Sequence, residues 1–126
     1  MEQKNRVELI GYIGGIRTTD YEQRCVANFS LATTYAYTNK SGEPIVETTW
    51  HSIVFWATND KAKAFHKSLK KGDGVSVVGR IRNAQYTKAD GTMATMYEVI
   101  GSDIKVINEH LELEVRKTKE SSHEQI

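Results

Sequence analysis

Two tryptophans lie six positions apart in the stretch ETTWHSIVFW, residues 47–56, which otherwise has the composition of a β-strand. Side chains alternate between the two faces of a strand, so Trp50 and Trp56 share one face while Ile53 and Phe55 share the other. The face with Ile53 and Phe55 is typical of contact with a hydrophobic core. The two indole rings therefore either pack against another part of the protein or offer flat apolar surfaces to a ligand.

A second group of chemically useful side chains occurs in RIRNAQY, residues 80–86. Arg80, Arg82 and Tyr86 have the same parity, so they lie on one face if the strand continues through all seven positions. Guanidinium groups bind phosphates, and aromatic rings stack on unpaired bases. With the two tryptophans, this pattern favours a surface for single-stranded nucleic acid. The alternative is that the aromatic side chains cover the barrel or a subunit interface and that the arginines are solvated.

No pattern in the sequence is typical of an enzyme or a metal site. The histidines lack metal-ligand spacing, and neither GYIGG nor GDG matches a dinucleotide fingerprint or a P-loop. The single cysteine, Cys25, has no partner for a disulfide or a CxxC motif, and its place beside Val26 is typical of a small buried side chain. We therefore predict no catalytic residue, no metal and no cofactor.

Length and composition predict one globular domain followed by a tail. The chain has 126 residues, of which 39% are hydrophobic and 26% charged, and this suits a single core. The net charge of +1 is unevenly distributed, because residues from Asn108 onward include three basic and five acidic side chains. The charged amino terminus and the lack of a long apolar run predict neither a signal peptide nor a membrane span, and they favour the cytoplasm.

Hydrophobic periodicity predicts three strands, one helix and two further strands, in that order. The predicted strands cover 6–15, with a bulge at its glycines, then 25–37, 47–56, 75–82 and 92–107. A turn is predicted over 16–24, and a helix over 58–72 with Thr58 or Asn59 and Gly72 as its caps. This order is that of the OB-fold, a Greek-key barrel that binds oligonucleotides across its second and third strands. We predict an all-β, five-stranded OB-fold barrel with one short helix between strands 3 and 4.

Five segments match a known family in order and spacing: NRVELIGYIGG, VANFSLATT, ETTWHSIVFW, LKKGDGVSVVGRIR and YTKADGTMATMYEVI. On these segments, residues 5–107 resemble the bacterial single-stranded DNA-binding proteins. The resemblance implies non-enzymatic binding and protection of single-stranded DNA, with little sequence preference, during replication, recombination or repair. It also implies a location in the bacterial cytoplasm, at the nucleoid.

The resemblance assigns roles to individual residues. Base stacking falls on four aromatic side chains: Tyr37, Trp50, Trp56 and Tyr86. Phosphate binding falls on Arg6, Lys70, Lys71 and Arg82, to which the parity of the fourth strand adds Arg80. The histidine that lies at the subunit interface in the family corresponds to His51. The resemblance also implies a homotetramer, with a dimer as the alternative.

The carboxyl-terminal segment departs from the family pattern. Family members end in a flexible linker and an acidic tip that finishes in Pro-Phe, whereas this sequence ends VRKTKESSHEQI. We therefore predict an OB-fold domain over 1–107 and a short flexible tail over 108–126 that lacks the tip. Recruitment of host repair enzymes through such a tip is not expected.

Two other functions stay open. One is an interaction subunit with an OB-fold, similar to primosomal proteins, and the other is an RNA-binding module like the cold-shock domains. The four aromatic residues at stacking positions argue against the first. The absence of the FGF and FVH patterns of cold-shock domains argues against the second.

Overall fold

The computed structural model describes residues 1–107 and the backbone of residues 115–117. Its elements are β1 (Val7–Asp20), β2 (Cys25–Thr38), β3 (Pro44–Ala57), α1 (Asp60–Ser68), β4 (Gly74–Thr87), β5 (Met93–Val106) and β6 (Val115–Lys117). The first five strands have 14 residues each, so strand backbone dominates the described part of the chain.

The first five strands form a closed barrel. They are hydrogen-bonded in the order β1-β4-β5-β3-β2, and the ring closes because β1 also pairs with β2. The pairs are antiparallel except for the short parallel contact between β3 and β5. The helix α1 lies between β3 and β4 in the chain. The predicted OB-fold barrel with one helix between strands 3 and 4 is therefore confirmed.

Two glycines mark the place where β1 passes from one wall of the barrel to the next. The first half of β1 pairs with β4 and the second half with β2, and the register to β2 shifts between Ile13 and Ile16. Gly14 and Gly15 form this bulge, which bends the strand. The predicted bulge is confirmed, but the predicted turn over 16–24 is right only for residues 21–24, because β1 continues to Asp20. The polar residues that follow the bulge still form strand, because strands pair through backbone groups and polar side chains do not interfere with that pairing.

The barrel interior is filled by alternate side chains of the strands. Ile53 is fully buried and Phe55 is 4% exposed, which confirms the predicted core face of β3. The rings of Phe55 and Phe29 stack with their centroids 6.2 Å apart. On its other side Phe55 lies against Gly101 of β5, where an added Cβ would overlap the ring. The core therefore needs a glycine at this position.

The helix α1 is shorter than the sequence predicted. Asn59 is its amino-terminal cap, as expected, and the Oδ1 atom of Asn59 accepts a hydrogen bond of 2.7 Å from the backbone N–H of Ala62. The helix ends at Ser68 rather than at residue 72, because Leu69 takes an extended conformation and is buried. Gly72, with a φ of +94°, lies in the following turn and donates a backbone hydrogen bond to Ile13. In the part of the chain that the structure describes, no helix is long and apolar enough to cross a membrane.

Two hairpins, β2–β3 and β4–β5, carry most of the predicted site. β2 and β3 pair without interruption from Cys25 opposite Ala57 to Thr38 opposite Pro44. β4 runs to Thr87, five residues past its predicted end, so Tyr86 lies in the same strand as the arginines predicted to share its face. The β4–β5 turn contains a glycine with a positive φ, as hairpin turns commonly do.

The predicted tail, 108–126, lies outside the described residues except for β6. Val115–Lys117 pairs in parallel with residues 36–38 of β2. β3 occupies one edge of β2 along its whole length, so β6 lies on the edge that β1 also uses. A flexible tail without tip-mediated recruitment stays a prediction.

The buried His66 predicts that acid destabilises the fold. Its side chain is 4% exposed, its ring meets the edge of Phe55 at a centroid distance of 5.7 Å, and its Nδ1 atom has no hydrogen-bond partner among the described residues. Burial lowers the pKa of His66 below 6.5. The unfolded chain therefore takes up a proton near pH 6.5 that the folded protein does not. Stability from this group is fully present above that pH and is lost as the pH falls toward the lowered pKa.

Urea unfolding should therefore show a lower midpoint at pH 5.5 than at pH 7.5, and His66→Phe should reduce the difference. His51→Gln is the matched comparison, because burial also lowers the pKa of His51 while its exposure is greater. If the urea midpoint of His66→Phe fell between pH 7.5 and pH 5.5 as much as that of the unchanged protein, His66 would not be the source of the acid sensitivity.

Candidate nucleic-acid interface

One outer face of β3 exposes both tryptophans. Trp50 is 61% exposed and Trp56 is 42% exposed, although Val54 between them is only 6% exposed. Ser52 completes the set, and these four residues are called the tryptophan face below. Large apolar rings at this level of exposure leave much of their surface available to a ligand.

Strand pairing extends the tryptophan face across the sheet. Val54 is in register with Asn28 of β2 and with Ile100 of β5. Asn28 is in register with Arg17 of β1, and Ile100 with Arg80 of β4. Neighbouring strands are about 4.8 Å apart and residues in register share a face, so the backbone of each arginine lies roughly 10 Å from Val54. Exposed arginines therefore flank the tryptophan face on both sides.

The indole of Trp50 lies directly on the β1 bulge. A Cβ added to Gly14 would approach Cζ3 of Trp50 to 2.5 Å and Oγ of Ser30 to 2.6 Å. At the neighbouring Gly15, an added Cβ would meet nothing within 4 Å. The Gly15 N–H donates a 2.9 Å hydrogen bond to Oγ of Ser30, which keeps the bulge and β2 together. Because Gly14 has no side chain, the ring of Trp50 can lie against the backbone of the bulge.

Replacing Gly14 by alanine should displace Trp50 and weaken the DNA binding that the sequence predicts. The new methyl group would occupy the position of the ring, so the indole must rotate away from its present place. We expect a shifted emission spectrum for Trp50, measured in a Trp56→Phe background, and a several-fold lower affinity for oligo-dT. Gly15→Ala is the control, and it should change neither quantity. Equal behaviour of the two alanine variants would show that Gly14 does not position the ring.

Trp56 is partly covered by the turn between β1 and β2. The guanidinium carbon of Arg24 lies 4.5 Å from the ring centroid of Trp56 and 5.8 Å from that of Tyr21. The rings of Tyr21 and Trp56 are 6.0 Å apart with their planes tilted by 35°. Trp56 therefore has a cation and a second aromatic ring beside it, whereas Trp50 is more open.

A cleft of about 400 Å³ borders Trp50 on the side of the β1–β2 hairpin. Its apolar lining includes the indole of Trp50, and its polar lining residues are Arg17, Asn28, Ser30, His51 and Ser52. Exposed aromatic surface beside a cation and several hydrogen-bonding groups suits a nucleotide better than a purely apolar ligand.

The two predicted stacking tyrosines lie on the hairpins. Tyr86 is 45% exposed near the end of β4, with the parity of Arg80 and Arg82. Tyr37 is half-buried beside Tyr35, with ring centroids 5.6 Å apart. Tyr37 is in register with residue 45 and Trp50 with residue 32, so Tyr37 lies on the opposite face of the β2–β3 ribbon from Trp50. A nucleic-acid strand that contacted both Tyr37 and Trp50 would have to pass around the β2–β3 hairpin.

The predicted phosphate-binding residues differ in their surroundings. The guanidinium of Arg82 is paired with Glu98, whose side chain is 14% exposed, and its Nε donates a 3.1 Å hydrogen bond to the carboxylate. Arg6 pairs with Glu8 at 3.3 Å on the surface, where such pairs contribute little. The other three predicted phosphate-binding residues are Arg80, Lys70 and Lys71. Their side chains are exposed and form no ion pair or hydrogen bond with any described residue. A phosphate contact at Arg82 would therefore compete with Glu98.

His51 lies on the core side of β3 and is half-buried. Its Nε2 shares a 2.7 Å hydrogen bond with Oγ1 of Thr33 on β2. Desolvation lowers the pKa of His51, so the neutral ring is favoured in the folded protein. The predicted contact of His51 with another subunit stays a prediction.

The sequence analysis missed three residues beside the tryptophan face: Arg17, Tyr21 and Arg24. All three belong to the segment that was predicted to be a turn, so no face could be assigned to them. If 16–20 had been recognised as strand, the alternation after the bulge would have placed Arg17 on the outside. The position of Arg24 over Trp56 depends on the pairing of β1 with β2, for which the sequence carries no separate signal.

The sequence profile of the single-strand binding protein family matches residues 4–107. The chain belongs to this family. The single-stranded DNA-binding protein of Neisseria meningitidis serogroup A is 31% identical over 105 residues, which cover 82% of this chain and 59% of that protein. The single-stranded DNA-binding protein of Bacteroides thetaiotaomicron is 35% identical over 108 residues, covering 82% and 66%. The matched region thus spans about three fifths to two thirds of these relatives.

Solved structures of family members have the same fold. A Plasmodium falciparum SSB in complex with single-stranded DNA superimposes with a TM-score of 0.70 at 26% identity, covering 85% of this chain and 97% of that one. A deletion mutant of the single-stranded DNA-binding protein from Thermus aquaticus gives a TM-score of 0.67 at 22% identity, covering 82% and 50%. Both superpositions show that the barrel fold of this chain is shared with single-stranded DNA-binding proteins.

Proposed function

We propose that this single-strand binding family protein coats and protects single-stranded DNA, without catalysis and with little sequence preference. Replication, recombination and repair are the processes that expose such DNA. The Plasmodium falciparum relative described in complex with single-stranded DNA supports the same ligand here.

The exposure of both tryptophans on one face carries this proposal. Trp50 and Trp56 leave 61% and 42% of their surface open while Val54 between them is buried. Arg17 and Arg80 lie in register on either side of that face. Stacking accepts every base, and phosphate contacts carry no sequence information, so this combination binds a single strand without reading it.

The remaining site residues extend the proposed DNA path. Tyr37 and Tyr86 would add stacking surfaces on the two hairpins, and Arg80 on β4 would contact phosphates beside the tryptophan face. The other proposed phosphate contacts are Arg6, Lys70, Lys71 and Arg82. Because Tyr37 lies on the opposite face of its ribbon from Trp50, the path would wrap around the β2–β3 hairpin.

A homotetramer is the proposed assembly, with residues 1–107 as its DNA-binding domain. Exposed apolar side chains support contact between copies: Ile10 is 57% exposed, and Val46 and Met93 are each 60% exposed. Sedimentation equilibrium without DNA should give four times the chain mass of 14.2 kDa. A mass of two chains would support the dimer instead.

Intrinsic fluorescence provides the test of the function. The chain has two tryptophans, both on the proposed stacking surface, so poly-dT should quench most of the emission. Oligo-dT, its ribose equivalent and duplex DNA should then be compared in competition. Stronger binding of the ribose strand would favour an RNA-binding module. Unchanged emission and no competition by any of the three would favour a protein-interaction subunit.

A further inference from the structure

The hairpin of β1 and β2 contributes two arginines to the tryptophan face. Arg17 is exposed and forms no ion pair or hydrogen bond with any residue of the described part of the chain. It lines the cleft beside Trp50, and its register partner Asn28 lines the same cleft. An unpaired guanidinium next to an exposed ring is free to bind an anion.

The second arginine is held against the other tryptophan. Arg24 lies 4.5 Å from the centroid of Trp56, within the range of a cation–π contact. Its guanidinium has already lost some rotational freedom, so a phosphate contact at this position costs less conformational entropy.

The turn that carries Arg24 is closed by a backbone hydrogen bond and is preceded by a surface ion pair. The backbone N–H of Tyr21 donates a 2.7 Å hydrogen bond to the carbonyl of Arg24. Asp20, the last residue of β1, forms a 3.0 Å ion pair with Lys67 of the helix α1. This pair lowers the pKa of Asp20 through the Lys67 hydrogen bond and keeps its carboxylate engaged away from the tryptophan face.

The distance between the tryptophans leaves room for nucleotides between two bases stacked on them. Six strand residues at roughly 3.4 Å each separate Trp50 from Trp56 by about 20 Å. A single base cannot contact both rings, so a strand stacked on both has intervening nucleotides. Their phosphates would pass the part of the hairpin that carries Arg17 and Arg24.

We propose that Arg17 and Arg24 bind the phosphates of the nucleotides that lie between Trp50 and Trp56. This inference rests on the proposed function and adds to it a set of contacts from the β1–β2 hairpin. Arg17 binds from the cleft beside Trp50, and Arg24 binds from its position over Trp56.

The salt dependence of oligo-dT binding tests the proposal in the full chain. Each phosphate contact to a single strand contributes about 0.7 to the slope of log K against log salt. Arg17→Gln and Arg24→Gln should each reduce the slope by about 0.7, and the double variant by about 1.4. Saturating DNA should still quench Trp50 and Trp56 in all three variants, because both rings remain.

Two comparisons separate a phosphate contact from a general effect of charge. Lys105→Gln removes one charge from an exposed residue that lines neither the Trp50 cleft nor a neighbouring cavity, and it should leave the slope unchanged. The double variant Arg17→Lys with Arg24→Lys keeps both charges and should keep most of the slope of log K against log salt. An unchanged slope in the double glutamine variant, or an equal loss in Lys105→Gln, would overturn the inference. Failure of the unchanged protein to bind oligo-dT would instead overturn the proposed function and this inference with it.

Discussion

Replacing Trp50 by alanine should lower the affinity for oligo-dT by about 1–3 kcal/mol, roughly five- to 150-fold, because one base loses its stacking surface. The fold should persist, since the ring is 61% exposed and rests on Gly14 rather than in the core. Fluorescence titration measures the affinity through the remaining Trp56, and far-UV circular dichroism measures the fold.

Trp50→Phe is the matched control, because a smaller ring on the same backbone still stacks. Its affinity should lie between those of the unchanged protein and the alanine variant. A large drop in the thermal midpoint of Trp50→Ala, with little change in affinity, would identify Trp50 as a packing residue instead.

Replacing Gly101 by alanine should destabilise the barrel by about 1–3 kcal/mol, the usual cost of overpacking a core. The added Cβ would overlap the ring of Phe55, which is 4% exposed and stacked on Phe29. The φ of Gly101 is not positive, so the effect would come from the contact rather than from the backbone. Urea unfolding at neutral pH should show the loss as a lower midpoint.

A double variant distinguishes the contact with Phe55 from other causes. Phe55→Leu alone should destabilise the core. The double variant Phe55→Leu with Gly101→Ala should lose less unfolding free energy than the sum of the two single losses, because the smaller side chain leaves room for the methyl group. Gly15→Ala, which adds a methyl group in open space, should be close to neutral. Additive losses in the double variant would contradict the proposed overlap.

Much of the fold could be predicted because hydrophobic alternation depends only on the chain itself. In β3, Ile53 and Phe55 have the parity of the core, so the outward position of Trp50 and Trp56 followed directly. The end of β1 was mispredicted because the pair Gly14–Gly15 is typical of a strand terminus, while here it bends a continuous strand. The need for that bend comes from barrel closure, which local sequence does not encode.

The details of the site depend on register between strands, which the sequence does not specify. Arg82 could be placed on an outer face, but its pairing with Glu98 follows from the alignment of β4 with β5. Arg17 reaches the tryptophan face through the alignment of β1 with β2. Residue type and alternation therefore predicted that both tryptophans are exposed, whereas the position of Arg17 beside them required the register of the strands.

The short strand β6 also affects how copies of the chain behave when crowded. Along one edge of β2, β1 pairs with residues 25–29, 31 and 32, and β6 pairs with residues 36–38. In the described part of the chain, only residue 30 at the bulge and residues 33–35 lack a strand partner on that edge. Unpaired strand edges are the usual starting points for cross-chain aggregation. A protein proposed to line up many copies on one DNA strand holds such edges close together. With β6 in place, a foreign strand could extend this sheet only by displacing the chain's own segment first.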